Sequence, residues 1–346
     1  MKGQSGEQSW LSRVTGEPGS RPFFVERRPA VGTAEPVYTT FDHSLICQRL
    51  YELTGDAGFL RLAVDHLLPA AVATGPWRRW YFSPAVTDIP PDADSTSVAL
   101  LLIALAARRG VTIPDEFDPA QQVSQFEALL TASGGIRTYF GDRPNNEVDP
   151  VVNLALAETL LATSNLQPLY PETRRFINNT VRSGGLAGRL SEYYLGSAFF
   201  AERLARIAHV DQDFLSPAAM RALDHYLEET RPNNPLEAAM LGIGCFLRGK
   251  YPRGEALTRL LERSVNSSGG WGFAPFYIQR TPRYDYGSAA WTTATVRYAF
   301  KLCQRGHARR CWQSWRLQDC DCGLFGFRFC RAFDSARAPQ LKETAR

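Results

Sequence analysis

The chain has 346 residues, 44% hydrophobic and 12% aromatic, enough to bury one large core or two ordinary ones. Its formal charge of +4 is carried by arginine, because lysine occurs only at Lys2, Lys250, Lys301 and Lys342, and it contains no basic block of the kind that grips nucleic acid. The longest apolar run, Val98 to Ala107, is half the ~20 residues of a membrane span, and residues 1–20 lack the apolar stretch of a secretory signal, so a cytoplasmic protein is expected, free or peripheral at a membrane.

In chain order, a polar N-terminal segment, 1–34, leads to Thr39-Thr40 and a first apolar helix, Phe41 to Leu53, with Asp42-His43 at its start. An amphipathic helix, Ala57 to Ala71, and an aromatic stretch holding Trp77, Trp80, Tyr81 and Phe82 come next. Asp94-Ser95 opens the apolar helix Thr96 to Arg108, and Asp118-Pro119 caps an amphipathic helix over Pro119 to Thr131, proline costing nothing at a first helical position. The pattern recurs: Asp149-Pro150 before apolar Val151 to Ala162, then amphipathic Pro171 to Arg182; Gly196-Ser197 before apolar Ala198 to Ala208, then Pro217 to Glu229. Asn234-Pro235 precedes apolar Leu236 to Leu247, followed by amphipathic Gly254 to Val265. Gly287-Ser288 then opens the last apolar helix, Ala289 to Cys303.

Apolar helices thus start about 38 to 55 residues apart and alternate with amphipathic ones, a helical-repeat period. An inner layer buried on every side and an outer layer wet on one follow from that alternation. The expected fold is all-α, an α/α toroid (α6/α6 barrel) of about six helix pairs over residues 35–304 with a cavity at its centre; an open solenoid is the alternative. The sixth outer helix must come from the N-terminal segment or from beyond Arg305, where an Arg- and Cys-rich tail, 305–346, is expected to be poorly ordered. Seven cysteines, five of them from Cys303 onward, fit neither a disulfide framework nor a zinc frame, as Cys311, Cys320, Cys322 and Cys330 include only one close pair.

In a toroid the inner-helix starts share one rim. Asp92-Ala93-Asp94-Ser95-Thr96-Ser97 lies there and reads as an N-cap, since Asp and Ser satisfy free N–H groups and negative charge suits the helix dipole. It reads equally as an acid beside an apolar cavity, where desolvation lets a carboxyl keep a proton for a weak base such as an alkene. Aromatic rings, Trp80, Tyr139, Trp271, Tyr284 and Tyr286, would shape such a cavity and shield a cation through their faces, although ordinary core packing explains most rings. Asp149 holds Asp94's place one repeat later and, with Asn153 a turn further on, would cap its helix or orient a substrate hydroxyl. Arg137, Arg143 and Arg283 are candidates for gripping a diphosphate or carboxylate at the mouth, and His43 for a partner to the acid or a structural histidine.

Asp92-x-Asp94-Ser95-Thr96-Ser97 resembles the Asp-x-Asp-Asp-Thr-Ala motif of class II terpene cyclases, the squalene-hopene and diterpene cyclase superfamily that shares its α6/α6 toroid with protein prenyltransferase β-subunits. Ser268-Gly269-Gly270-Trp271-Gly272-Phe273 and, more weakly, Ser133-Gly134-Gly135-Ile136 are similar to the Gly-Trp turns of that family's repeats. The resemblance implies Asp94 as general acid, with Asp92 and Ser95 supporting it, and protonation-initiated cyclisation of an isoprenoid. Ser95 departs from the family's third aspartate. No redox cofactor is implied, no Asp-x-Cys pair with a following His matches the prenyltransferase zinc ligands, and Mg²⁺ would enter only with a diphosphate substrate. Two other readings fit a toroid: a non-catalytic isoprenoid-binding or interaction module, and a sugar-active enzyme in which Asp94 and a second carboxylate, Asp149 or Asp285, face each other across an open polar cleft.

Overall fold

The computed structural model describes residues 23–29, 32–84, 90–141, 143, 146–164, 169–188, 190–191, 193–266, 270–280 and 283–314, with residues 279, 280, 283 and 307–314 described in backbone only. In chain order the helices are α1 (Thr40–Thr54), α2 (Gly58–Ala70), α3 (Ala93–Arg108), α4 (Pro119–Gln122), α5 (Pro150–Thr163), α6 (Leu169–Arg182), α7 (Ala198–Val210), α8 (Pro217–Glu229), α9 (Pro235–Leu247), α10 (Tyr251–Arg263) and α11 (Ala289–Ser314). The strands are β1 (Val25–Pro29), β2 (Glu35–Val37), β3 (Val72–Thr74), β4 (Trp77–Arg79), β5 (Pro275–Arg280) and β6 (Arg283–Gly287).

The apolar helices close a ring. Each of α1, α3, α5, α7, α9 and α11 packs on the next, and α11 packs back on α1, so the fold is an α/α toroid and not an open solenoid. Burial explains the layering. Every residue of α5 from Val151 to Leu160 is buried, whereas α6 buries only Leu169, Tyr170, Thr173, Ile177 and Val181, a stripe along one side. The helix expected over Pro119 to Thr131 is instead the four-residue α4 followed by a 3₁₀ segment, Val123–Leu129. There buried Gln122 and Gln125 spend their amides on the backbone of the β3–β4 hairpin at Pro76 and Arg78. The last inner helix runs to Ser314, beyond the expected boundary at 304, while the rest of the tail and any sixth outer helix within it lie outside the described residues.

Strands are the main departure from the all-helical expectation. β2-β1-β6-β5 form an antiparallel sheet; β1 belongs to the segment read as polar N-terminal chain, and β2 opens the range read as toroid. Because β2 leads into α1 and β6 into α11, the sheet sits over the mouth where the inner helices begin. It is tied to the start of α7 by a bridge between Tyr194 and Tyr277.

One device recurs at the inner-helix starts. The Thr96 hydroxyl accepts the Trp80 backbone N–H at 3.2 Å, Asn153 Oδ1 that of Ile136 at 2.7 Å, Thr293 that of Trp271 at 3.1 Å, and His43 Nδ1 that of Phe23 at 3.1 Å. The turns before Ile136 and Trp271 match as well, with Thr131 N–H donating to Gly135 O and Asn266 N–H to Gly270 O, both at 2.9 Å. Gly135 is required there, because a Cβ would meet Val148 at 2.5 Å. These contacts stitch each incoming segment to the helix it precedes, so removing one leaves a buried N–H unsatisfied. Thr293→Val is expected to cost about 1–3 kcal/mol, read as a lower urea midpoint with an unchanged denaturant slope.

Candidate active site

At the start of α3 two neighbouring carboxylates are put to different uses. Asp92 is the N-cap: its Oδ1 accepts the Ser95 N–H at 2.6 Å and its Oδ2 accepts the Ser95 hydroxyl at 3.0 Å. Ser95 therefore supports Asp92 directly, and Asp94 only through it. Asp94 lies further into the ring, buried, with Oδ2 accepting the Tyr194 hydroxyl and Oδ1 buried without a hydrogen-bond partner. Asp149 caps α5, accepting the Val151 N–H at 2.7 Å and the Ser191 hydroxyl.

Desolvation dominates the electrostatics of this trio and raises all three carboxyls. Asp92 and Asp149 are pushed up to about 6, held there by the N–H and hydroxyl groups that favour their anions. Asp94 rises further, to about 8: burial is the first cause, the charge of Asp92 the next, and Asp149 adds to it, against the opposing Tyr194 hydrogen bond and the more distant Arg203. At neutral pH Asp94 is the carboxyl that keeps its proton.

Rings enclose it. Tyr194 stacks on Phe199 at 5.5 Å between centroids and meets Phe276 edge-on at 5.5 Å, while Phe41 lies 5.9 Å from Tyr194. Phe276 sits on β5, so the sheet supplies the roof. Its neighbour Tyr277 donates to a second buried carboxylate, Asp42 of α1, at 2.9 Å and stacks on Tyr286 at 4.6 Å. Burial pushes Asp42 up to about 6 despite the hydroxyls of Thr39 and Tyr277.

Below the rings the axis is ionic, not the open cavity expected from sequence. Arg49 pairs with Glu202 and Glu52 at 3.1 Å, Arg206 with Glu52 at 2.7 Å and with Glu202, and Arg203 with Glu158. Phe199, Trp291, Arg49, Glu202 and Arg203 line an enclosed cavity of about 10 Å³ there, room for one water.

Of the residues singled out from sequence, Asp92, Asp94, Ser95, Tyr139 and Asp149 come together; Tyr139 pairs through its backbone with Asp92, and its hydroxyl donates to Tyr193 at 3.2 Å. Tyr286 lies in the roof, and Tyr284 beside it stacks under Arg27 at 4.7 Å. Trp80 and Trp271 do not face the axis: their indole N–H groups donate to Leu67 O and Leu261 O, between helix layers. Asn153 and His43 are spent on the backbone device, and burial lowers His43 to about 3, keeping it neutral. The Arg137 side chain is exposed, and Arg143 lies over Tyr139 at 4.3 Å. Arg283 is described in backbone only, within β6. Sequence reasoning did not select Phe41, Phe199, Tyr194, Phe276, Tyr277 or Asp42 as site residues. A signal for two existed: Phe41 and Phe199 are the second residues of α1 and α7, as Asp94 is of α3.

In sequence the chain matches no family model and no curated protein. In structure it is similar to the type II terpene cyclase MstE from Scytonema, with 13% identity and a TM-score of 0.61 over 88% of this chain and 97% of that one. A variant of MstE in complex with its substrate, geranylgeranyl dihydroxybenzoate, matches with 14% identity and a TM-score of 0.59, covering 87% and 96%. A D-mannose isomerase is similar with 11% identity and a TM-score of 0.59, covering 87% and 97%. An unsaturated glucuronyl hydrolase specific for heparin follows with 12% identity and a TM-score of 0.54, covering 87% and 96%. These likenesses establish the toroid, a fold that serves both terpene and sugar chemistry. No described helix is long and apolar enough to cross a membrane.

Asp94 makes stability depend on pH. The unfolded carboxyl releases its proton near 4 and the folded one near 8, so the unfolded state binds fewer protons between those values and stability falls as pH rises across that window. Asp94→Asn removes this component. It is expected to raise the melting temperature at pH 7.5 and to flatten the decline between pH 5 and 8, checked by calorimetry of both proteins across that range.

Proposed function

We propose that this toroid is a class II terpene cyclase-like enzyme that protonates the terminal alkene or epoxide of an isoprenoid chain and guides the resulting cation to a cyclic product. One observation carries the reading: a buried carboxyl with an uncommitted oxygen, raised to about 8 by its burial, is held by a tyrosine that itself packs among three aromatic rings. The similarity to a terpene cyclase whose substrate bears a geranylgeranyl chain supports a substrate of that class. That cyclase is matched over 96–97% of its chain, which supports a single toroid as sufficient for such chemistry.

The chemistry follows from the geometry. Tyr194 donates to Asp94 Oδ2, which leaves Oδ1 to carry the proton. When that proton passes to the alkene, the π pair forms the new C–H bond, the substrate becomes a tertiary cation and Asp94 an anion. Tyr194 stabilises that anion, while Phe41, Phe199 and Phe276 offer faces to the cation without a lone pair to quench it. Loss of a proton from the cyclised cation to water ends the reaction, and Asp94 regains its proton from solvent when the product leaves. The substrate must first displace part of the ring cluster, since the axial cavity holds only a water. The roof strand β5 is the movable part, held by Tyr277 on Asp42 and by the bridge to Tyr194.

A sugar-active reading has one observation behind it, the ionic layer on the axis. Asp94 itself is buried against Tyr194, and the second carboxylate, Asp149, is committed to its helix cap and Ser191; neither suits an open polar cleft.

Incubation with geranylgeranyl-bearing phenols, isoprenoid diphosphates and their epoxides, in parallel with mannose and unsaturated glucuronides, tests the choice. A cyclic terpenoid that gains one deuterium in D₂O is expected, with Asp94→Asn lowering its formation by about 10³-fold. Activity on the sugars alone, or cyclic product unaffected by Asp94→Asn, would overturn the proposal.

The pH dependence of kcat/KM should show a basic limb above about 8, where Asp94 loses its proton. Tyr194→Phe removes the bond that stabilises the anion, so the limb should move to higher pH while the plateau rate falls about tenfold. A rate–pH profile of the two proteins measures both effects.

A further inference from the structure

We propose that the groove between the turn after α8 and the outer face of α10 docks the protein on an anionic lipid bilayer. The groove has a volume of about 480 Å³ and is lined by Arg231 and Pro232 from the turn and by Arg253, Leu257, Leu260 and Arg263, among others, from α10. Residues 253, 257, 260 and 263 fall on one helical stripe. No carboxylate lines the groove, and among the described residues none of Arg231, Arg253, Arg259 and Arg263 has an ion-pair partner. The charged groups nearby that are paired, Arg248 and Lys250 with Asp224 and Glu228, lie outside it.

The occupant is read from the combination of charge and apolar surface. Leu260 is 48% exposed amid the arginines, and Val265, just past the end of α10, is 45% exposed; these are two of only five large apolar side chains left so open among the described residues. A nucleic-acid backbone or an acidic peptide would use the guanidiniums and leave the leucine idle. An anionic bilayer uses both, phosphates meeting the arginines and the interfacial region taking Leu260 and Val265. The proposal depends on none of the chemistry assigned to Asp94.

Sedimentation of the full chain with vesicles tests it. Binding is expected to vesicles of equal parts phosphatidylcholine and phosphatidylglycerol, not to phosphatidylcholine alone, and to weaken with salt. Arg259→Glu with Arg263→Glu should lower the affinity by at least about 25-fold, some fivefold for each arginine removed. The charge-matched control Arg61→Glu with Arg182→Glu, on the exposed faces of α2 and α6, should not. Leu260→Ser should weaken binding and leave its salt dependence unchanged. All substitutions are at exposed positions, and circular dichroism melts check that each variant folds. Equal loss in both double variants, equal binding to neutral vesicles, or binding of free inorganic diphosphate without vesicle binding would overturn the proposal.

Discussion

The six inner helices are buried around most of their circumference, and that constraint decides where polarity can go. Their first turns carry N–H groups with no partner inside the helix, so side-chain oxygens must be supplied at the mouth of the ring. Thr39, Asp92, Asp149 and Asn234 supply them as caps. Carboxylates are favoured there by the helix dipole, which is why acids gather at one end of an otherwise apolar ring. Asp92 and Asp149 are quieted by the N–H groups they accept. Asp94, two residues past its cap, accepts none and is buried with a single tyrosine hydroxyl on it, so the same helix start holds one carboxyl fixed as an anion acceptor and another that keeps its proton. Environment, not residue type, divides the roles.

The axis shows a second division, in depth. Aromatic rings fill the level of Asp94, and an Arg–Glu network fills the level beneath, tying α1, α5 and α7 together. Buried ion pairs contribute little net stability, but breaking one by removing a partner typically costs about 3–5 kcal/mol. That floor therefore resists rearrangement, whereas rings roofed by a short sheet do not. Space for a ligand must be made on the mouth side, through the roof.

Much of the fold was legible because a toroid is written in periodicity. The alternation of uniformly apolar and one-sided helices gave the layers, and Pro-, Asp- and Ser-bearing starts gave their boundaries within a few residues. The sheet is not legible in the same way: Tyr284 and Tyr286 read as cavity rings because aromatics serve strands and cavities alike, and pairing with β1 links segments about 260 residues apart in the chain. Asp94 could be picked out by the order of residues around it. Its ring neighbours could not, since whether Trp80 or Phe199 faces the axis depends on helix rotation. Only the shared second position of Phe41, Asp94 and Phe199 encodes that rotation. His43 and Asn153 misled for a related reason: a polar residue in the first turn of a buried helix can serve a ligand or the protein's own backbone, and here the incoming segments of each repeat claim them.

Access and acidity are linked through one pair of tyrosines. Tyr277 and Tyr194 face each other across a backbone bridge, and each donates to a carboxylate at the start of a different inner helix, Asp42 of α1 and Asp94 of α3. A roof that lifts at β5 must break the Tyr277 bond and loosen the segment carrying Tyr194. The Tyr194 hydrogen bond favours the Asp94 anion, but burial is the larger influence, so an opening that admits water relieves the desolvation and weakens the carboxyl's hold on its proton. Closure restores both the burial and the bond, so Asp94 holds its proton most firmly under the closed roof, where Tyr194 stands ready to stabilise the anion. On the proposed cyclase reading, the proton is thereby kept for the closed state, in which a cation would escape water.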